Sequence, residues 1–341
     1  MGREADRRGA AGPLVAVGIS LLSIGLLVFY ALMSYGPGPV LLPLSMLAVL
    51  VMGLGSAFYH PLGGSVLQNS FGVSRGKALG VNGSMGSLGR ALYPSMFYAV
   101  ASMASQPASI AFFGAVGFIS SVVIWLGLRG FRTERKQGGS SARILNRQMV
   151  ALTAVSFMRS ASLFGIAAWI PVYLSFQKGV GFGFELGLAL TAMYAAAIAG
   201  QPLFGYMTDR VDRRVVFFVS SVGGALSVLG YTMAQGLEGV ILLSLFGFFA
   251  YTGFPVLLSL VTDYVPDDAA STGNALVWGL GATAGNAVGP LVIGGIILDS
   301  YSRLDFAFEV MIAVAIVSAF PVLLLGRGRR DGSSPVAHGA G

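Results

Sequence analysis

Charge and cysteine are scarce in this sequence of 341 residues. Only 10% of the residues are charged, whereas soluble globular domains carry about 25%. Cysteine is absent, which excludes disulfides, thiolate metal sites and redox pairs. Two histidines, His60 and His338, are too few for a metal cluster. The sequence also lacks a Gly-Lys-Ser/Thr phosphate loop and a nucleophile triad. We therefore expect no metal, no cofactor, no ATP and no enzymatic activity.

Apolar residues are abundant. They make up 55% of the chain, and the mean hydropathy is +0.77. They form ten stretches, each near or above the roughly 20 residues that cross about 30 Å of hydrocarbon. Turns such as Gly36-Pro37-Gly38-Pro39 separate them. The sequence predicts an all-α polytopic membrane bundle of ten transmembrane spans, numbered one to ten: 13–34, 40–67, 77–101, 107–129, 148–176, 185–206, 214–235, 239–263, 271–298 and 305–326.

The basic residues predict how the chain is oriented. Of the 21 Lys and Arg residues, all but four lie at one side of the predicted spans. Lys178 and Arg303 lie at the other side, and Arg90 and Arg159 lie inside spans. Because positive loops stay in the cytoplasm, we expect a multi-pass protein of the plasma membrane with both termini cytoplasmic. The net charge of +7 is spread over several loops, so nucleic acid is not an expected partner.

A ten-residue motif links spans six and seven, and a partial copy opens the chain. The full motif is Gly205-Tyr206-Met207-Thr208-Asp209-Arg210-Val211-Asp212-Arg213-Arg214, and the copy is Gly2-Arg3-Glu4-Ala5-Asp6-Arg7-Arg8-Gly9. The full motif resembles the loop of the major facilitator superfamily of transporters that joins the second and third helices of each six-helix half. Asp212 stands where that family has its last glycine. Since the copy begins at Gly2, the resemblance implies that two helices are missing before it.

A polar stretch divides the chain into two predicted halves. We expect an N-terminal bundle of four helices at 1–130, a cytoplasmic linker at 131–147, a C-terminal bundle of six helices at 148–326 and a disordered cytoplasmic tail at 327–341. Spans three and nine share a glycine ladder at matching places in the two halves, which favours pseudo-symmetry. Small residues let helices pack closely in lipid. The predicted packing residues are Gly86, Gly89, Gly281, Gly285, Gly289 and Pro290.

A narrower resemblance is to the fosmidomycin-resistance branch of this superfamily. It rests on Gly53-Leu54-Gly55-Ser56-Ala57-Phe58-Tyr59-His60-Pro61, on Arg75-Gly76-Lys77-Ala78, and on Arg159 followed by Trp169-Ile170-Pro171-Val172-Tyr173-Leu174. Members of that branch export toxic small molecules by using proton influx. Two residues depart from the pattern, namely Leu62 after the His-Pro pair and Arg90 in the ladder. The substrate therefore cannot be carried over.

Ionisable residues at membrane depth are the candidates for the transport site, because they are costly in lipid. Counted at about 1.5 Å per residue, His60, Arg90 and Arg159 lie in the middle third of the membrane. The resemblance places spans two and five beside the central cavity, and Trp169 and Tyr251 complete the predicted cavity residues. His60 can exchange a proton near neutral pH, and Arg159 can bind a carboxylate or phosphate. This pattern indicates an anionic or zwitterionic substrate.

A structural alternative stays open for each of these residues. His60 could serve only to hydrogen-bond the carbonyl that Pro61 frees. Arg159 or Arg90 could pair with C-terminal carbonyls of a helix, or with an acid on one of the missing helices.

The loop motifs predict a latch between the two bundles. Its residues are Gly205, Asp209, Arg210, Arg213, Arg214, Asp6 and Arg7. A carboxylate is stabilised at the amino end of a helix, so we expect Asp209 near 74–77 and Asp6 near Ser271 and Thr272. In the alternative, these arginines only fix the topology.

We therefore predict a secondary active transporter of a small organic molecule. It would work by alternating access in the lipid bilayer with a proton or another coupling ion, in the direction of efflux. Uptake of an anionic metabolite is the alternative within transport. A non-transporting or inactive truncated membrane protein is the alternative outside it.

The orientation can be tested by labelling single cysteines, since the natural chain has none. We expect Ser302→Cys, beside Arg303, to react with a membrane-impermeant maleimide in intact cells. Ser333→Cys, in the tail, should react only after the cells are permeabilised. The opposite pattern would reverse the predicted topology.

Overall fold

The computed structural model describes residues 11–35, 38–71, 75–130, 144–266, 270–298 and 300–326. Throughout these ranges the secondary structure is helical, without a strand. The chain divides into two compact units. One comprises Met1–Gln137 with Gly181–Thr191, and the other comprises Gly138–Val180 with Ala192–Gly341.

Four helices precede residue 130: α1 Ala11–Tyr35, α2 Leu41–Phe71, α3 Arg75–Met103 and α4 Gln106–Leu128. The later part of the chain forms α5 Arg147–Phe176, α6 Phe184–Arg210, α7 Arg213–Met233, α8 Gly236–Ala250, α9 Gly253–Tyr264, α10 Ala270–Leu276, α11 Ala284–Ile297 and α12 Leu304–Ala319. A π-helical segment, Val277–Thr283, joins α10 to α11, and 3-10 turns flank α12 at Tyr301–Arg303 and Phe320–Leu324.

Eight helical stretches of the described residues are long and apolar enough to cross a membrane. Two of the ten predicted spans are weaker in this respect. Helix α2 contributes a shorter apolar stretch, Leu41–Ser56, and α3 is rich in glycine and serine and includes Arg90. The prediction of an all-α membrane bundle is confirmed.

Within the first unit, α1 packs against both α2 and α4. Small polar residues join α1 to α4: the Ser20 and Ser121 hydroxyls lie 2.6 Å apart, and Ser121 also donates to the Ala16 carbonyl at 2.7 Å. Gly86 and Gly89 of α3 are exposed, and a Cβ added to either would meet nothing within 4 Å.

Within the second unit, α5 lies against α11, the π-helical segment and α12. The contact with α11 depends on glycine. A Cβ added to Gly289 would overlap the carbonyl oxygen of Ala161 and would lie 2.9 Å from the Cα of Gly165. A Cβ added to Gly285 would lie 2.9 Å from the Cβ of Ser160. Gly281 is similarly close to the side chain of Ser156. Backbones that approach this closely compensate for the missing hydrophobic drive between helices in lipid.

The structure adds two features that the sequence analysis did not predict. Span eight is divided, because α8 ends at Ala250 and α9 begins at Gly253. Span nine contains the π-helical segment Val277–Thr283. Irregular backbone at membrane depth is uncommon, and π-bulges are frequent at functional sites.

The glycine contact predicts the effect of one substitution. Gly289→Ala should lower the melting temperature of the purified protein in detergent, because overpacking of a tight contact costs about 1–3 kcal/mol. The matched control is Gly295→Ala in the same helix, where a Cβ would meet nothing within 4 Å. The control should be as stable as the parent protein. Equal melting temperatures for the two variants would contradict this account of the contact.

Candidate functional site

The break between α8 and α9 interrupts the regular hydrogen bonding of the helix backbone. Pro255 has no N–H, so it cannot donate to the carbonyl of Tyr251 four residues earlier. Tyr251 and Thr252 form the turn between the helices, and both residues are buried. Since an unsatisfied carbonyl costs several kcal/mol in lipid, side-chain donors near this turn are favourable.

Arg159, from the middle of α5, donates to two carbonyls at the end of α8. Its Nη2 donates to the carbonyls of Phe249 at 3.2 Å and Ala250 at 3.1 Å. Its Nε donates to Ser221 Oγ on α7 at 3.0 Å, and its Cζ lies 5.4 Å from the centre of the Phe217 ring. Only 4% of the residue is exposed. The guanidinium therefore joins three helices at the point where α8 ends.

Helix α6 contributes a second donor and an aromatic wall. Gln201 Nε2 donates to the Tyr251 carbonyl over 3.5 Å, a long hydrogen bond. The ring of Tyr251 meets Phe164 of α5 at 4.9 Å between centroids and Tyr194 of α6 at 5.2 Å, each nearly edge to face. The break is thus lined by aromatic rings, one cation and one amide.

Arg159 has carbonyls and a hydroxyl as partners instead of a carboxylate. The described ion pairs Arg213–Asp263 and Arg214–Asp212 do not include Arg159. The same residues contain no group of three His, Asp or Glu side chains that could hold a metal ion. A buried cation held by dipoles keeps a strong attraction for an anion.

The other predicted cavity residues lie elsewhere. Trp169 of α5 donates through Nε1 to the Pro290 carbonyl of α11 at 3.1 Å, which places it in the contact between these two helices. Arg90 is exposed on α3, in the first unit. His60 belongs to α2, and its side chain lies outside the described part of the structure. The structure therefore places Arg159 and Tyr251 at the same helix break. It also adds four residues that the sequence analysis did not predict: Gln201, Ser221, Phe164 and Tyr194.

The loop motif at 205–214 forms a second polar cluster at the start of α7. Arg213 Nη1 lies 2.5 Å from Asp263 Oδ1 at the end of α9 and donates to the Ser259 carbonyl at 3.1 Å. The Asp263 side chain is only 11% exposed, and that of Arg213 is 31% exposed. This pair links α7 to α9. The sequence analysis did not single out Asp263.

Asp212, the residue that departs from the family motif, caps α7. Its Oδ1 accepts from the backbone N–H and the Nε of Arg214, both at 3.0 Å, and its Oδ2 accepts from Arg214 Nη2 at 2.6 Å. Arg214 Nη1 also donates to the carbonyls of Leu323 and Leu325 after α12. An aspartate directly before the first helical residue is a recognised N-cap signal, and it was available in the sequence.

The remaining motif residues do not form a described latch. Asp209 is exposed, and the Arg210 guanidinium lies 3.5 Å from the centre of the Tyr206 ring. Gly205 has the Pro255 Cβ as its nearest neighbour, 4.0 Å from an added Cβ. Asp6, Arg7 and the expected partner residue Ser74 lie outside the described residues. The latch between bundles stays a prediction.

Lys178 closes the opposite end of the second unit. Its ammonium donates to the Thr232 and Ala234 carbonyls at the end of α7, both at 2.8 Å, and lies over the rings of Tyr173 and Tyr231. Burial lowers the pKa of Lys178, and the nearby carboxylate of Asp305 opposes this shift in part. A cation at the C-terminus of a helix is stabilised by the helix dipole.

Comparison with known proteins identifies a family. The family model for the Major Facilitator Superfamily matches residues 1–188 and 181–340. The probable sulfoacetate transporter SauU of Cupriavidus necator is 27% identical over 307 residues, which cover 81% of this chain and 70% of that protein. The fosmidomycin resistance protein of Escherichia coli is 22% identical over 295 residues, covering 84% of this chain and 71% of that protein.

Another relative and a solved structure extend the comparison. A putative metabolite transport protein of Haemophilus influenzae is 26% identical over 188 residues, and the chain spans only 43% of its length. A bacterial homologue of the human lysosomal transporter Spinster, crystallised in an inward-facing and occupied conformation, superposes with a TM-score of 0.66 at 14% identity. The superposition covers 97% of this chain and 91% of the chain of that homologue. The fold and the family are those of membrane transporters and not of enzymes.

The pair Arg213–Asp263 can be tested by a double-mutant cycle. Arg213→Ala and Asp263→Ala should each lower the melting temperature in detergent, because each leaves a mostly buried charge without its partner. The double variant should be no less stable than the worse single variant, which corresponds to a coupling of about 0.5–3 kcal/mol.

The control for this cycle pairs Asp263→Ala with Arg303→Ala. Arg303 precedes α12, whereas Arg214 contacts the residues that follow α12. Arg303 and the motif therefore lie at opposite ends of a helix of 16 residues, and their effects should add. Additive effects for Arg213 and Asp263 would show that the pair does not couple α7 to α9.

Proposed function

The chain belongs to the Major Facilitator Superfamily, and from this membership we propose that it transports a small organic anion across the membrane by alternating access. The observation that carries the proposal is Arg159, a buried guanidinium beside a broken helix, with carbonyls as partners. Discontinuous helices near the bilayer midplane commonly form the substrate sites of secondary transporters. Arg159 would bind the anionic group, and Tyr251, Tyr194 and Phe164 would contact the apolar part of the substrate.

The names of two relatives support an anionic substrate. The name of the protein of Cupriavidus necator includes sulfoacetate, a compound that carries a carboxylate and a sulfonate. The name of the protein of Escherichia coli includes fosmidomycin, a compound that carries a phosphonate. An arginine binds each of these groups through two parallel hydrogen bonds, and these are stronger than its bonds to neutral carbonyls. We therefore propose that the substrate is a small organic anion with a carboxylate, sulfonate or phosphonate group.

For coupling and direction, we propose efflux driven by protons. His60 is the proposed proton carrier, because an imidazole titrates near pH 6.5. Uptake of an anionic metabolite is the second candidate, because the name of the relative from Cupriavidus necator gives a substrate but no direction. The fold is compatible with either direction.

The decisive experiment is transport into proteoliposomes that contain the purified chain. Labelled sulfoacetate and fosmidomycin are supplied outside, with and without a pH gradient and at a membrane potential clamped with potassium and valinomycin. We expect saturable accumulation that depends on the pH gradient. The gradient orientation that drives accumulation distinguishes exchange against protons from movement with them.

Variants then connect transport to the proposed site. Arg159→Ala should reduce transport at least about tenfold, since loss of one charge-assisted pair costs about 1.5–3 kcal/mol. His60→Ala should remove the dependence on the pH gradient. Arg303→Ala is the matched control, because it removes an exposed arginine that lies outside the ten predicted spans. If transport is unchanged by both His60→Ala and Arg159→Ala, the proposed site is wrong. A folded protein that transports no organic anion would favour the non-transporting alternative.

A further inference from the structure

The guanidinium of Arg159 is a hydrogen-bonding link between the end of α8 and two other helices of the second unit, α5 and α7. The Phe249 carbonyl accepts from Arg159 and from Thr252 Oγ1, the latter at 2.9 Å. The Ala250 carbonyl accepts from Arg159 at 3.1 Å. Gln201 donates to the Tyr251 carbonyl in this turn over 3.5 Å. Loss of the guanidinium would therefore remove the charged donor from both carbonyls at the end of α8.

Gly253 shows how tightly the guanidinium is enclosed at the start of α9. A Cβ added to this glycine would lie 2.6 Å from Nη1, 2.7 Å from Cζ and 2.8 Å from Nη2 of Arg159. These atoms are the flexible end of a long side chain, so an added methyl group would displace the guanidinium and leave the backbone in place. Gly253→Ala therefore separates the position of the charge from its presence.

The partners of Arg159 are weaker than those an anion would offer. Hydrogen bonds between a guanidinium and a carboxylate or sulfonate gain from both charges, whereas those to carbonyls gain from one. An anion that reaches Arg159 would thus take its donors from Phe249 and Ala250. The Phe249 carbonyl would keep its bond from Thr252 Oγ1. The bonds lost from the guanidinium would be replaced by a change in the α8–α9 turn or by water.

We propose that Arg159 is a clamp that couples substrate to the helix break. In the absence of substrate, the guanidinium holds the carbonyls at the end of α8 and keeps the α8–α9 turn closed. An organic anion draws the guanidinium away, and the turn opens. Binding energy from the anion thereby shifts the equilibrium between two arrangements of α8 and α9, as a ligand with differential affinity must. The release step rests on the proposed transport of organic anions, whereas the clamp itself does not.

The substrate-free test uses a single cysteine in the natural cysteine-free background. Thr252 lies in the turn and is fully buried at 0% exposure, so Thr252→Cys should react slowly with N-ethylmaleimide. We expect Arg159→Ala and Gly253→Ala, each combined with Thr252→Cys, to raise the labelling rate at least about tenfold, because closure then lacks its bonds to a charged group. The labelling rate of Arg159→Lys with Thr252→Cys should lie between the rates of these variants and that of the Thr252→Cys parent, since lysine lacks the forked donors.

Two controls keep this comparison interpretable. Gly295→Ala with Thr252→Cys adds the same methyl group in open space and should leave the labelling rate unchanged. Melting temperatures are measured for every variant, because Arg159→Ala could destabilise the whole protein. Gly253→Ala retains every polar group and provides the test if Arg159→Ala does not fold. Unchanged labelling in folded Arg159→Ala or Gly253→Ala would overturn the clamp.

The release is tested by adding sulfoacetate or fosmidomycin to the Thr252→Cys protein, with glycerol as a neutral control. The anion that is transported should accelerate labelling in this protein and should have no further effect in Arg159→Ala. A transported anion that does not change labelling would overturn the release and leave the proposed function intact. If neither anion is transported, the release fails with the proposed function, and the substrate-free comparison still decides the clamp.

Discussion

Hydrocarbon offers no hydrogen bonds, and this constraint governs the second unit of the protein. A regular helix satisfies its own backbone, but the break between α8 and α9 leaves carbonyls that must find partners within the protein. Arg159 and Gln201 provide them from two neighbouring helices. The hydrogen bonds between the guanidinium and these carbonyls compensate in part for the cost of burying both groups. An irregular and charged element is therefore stable where a plain apolar helix would be expected.

The packing around the break follows from the same constraint. Apolar surfaces gain little by leaving lipid, so close contact and hydrogen bonds must hold the helices together. Gly289 and Gly285 let α11 lie directly on α5, the helix that carries Arg159. Trp169 adds a hydrogen bond to this contact. The same helix thus combines a rigid face toward α11 with a polar face toward α7 and α8.

The ends of the second unit use charge in a different way. At the start of α7, Asp212 caps the helix, and Arg213 reaches Asp263 at the end of α9. At the other end of α7, Lys178 covers the C-terminal carbonyls. Both ends of α7 are therefore satisfied by side chains of the charge that the helix dipole favours. Arg213 therefore connects the loop motif to α9, the helix that follows the break.

The sequence by itself determined the class of this protein. Long apolar stretches, few charges and a distinctive loop motif are local features, and hydrocarbon thickness converts them directly into membrane spans. They identified the helices, the family and the depth of Arg159 in its span. The roles of Asp209 and His60 remain predictions, since neither the latch nor the His60 side chain lies in the described contacts.

Only the tertiary structure decided what Arg159 touches and where the helix of span eight breaks. Pro255 was visible in the sequence, but most prolines in membrane helices are absorbed without a break, and the outcome depends on donors from other helices. Ser221 and the Phe249 carbonyl are far from Arg159 along the chain, as Gln201 is far from Tyr251. These groups meet only after α5, α6, α7 and α8 have packed. Contacts between helices depend on their rotation and close approach. The glycines of α11 set that approach, and no local sequence pattern specifies it.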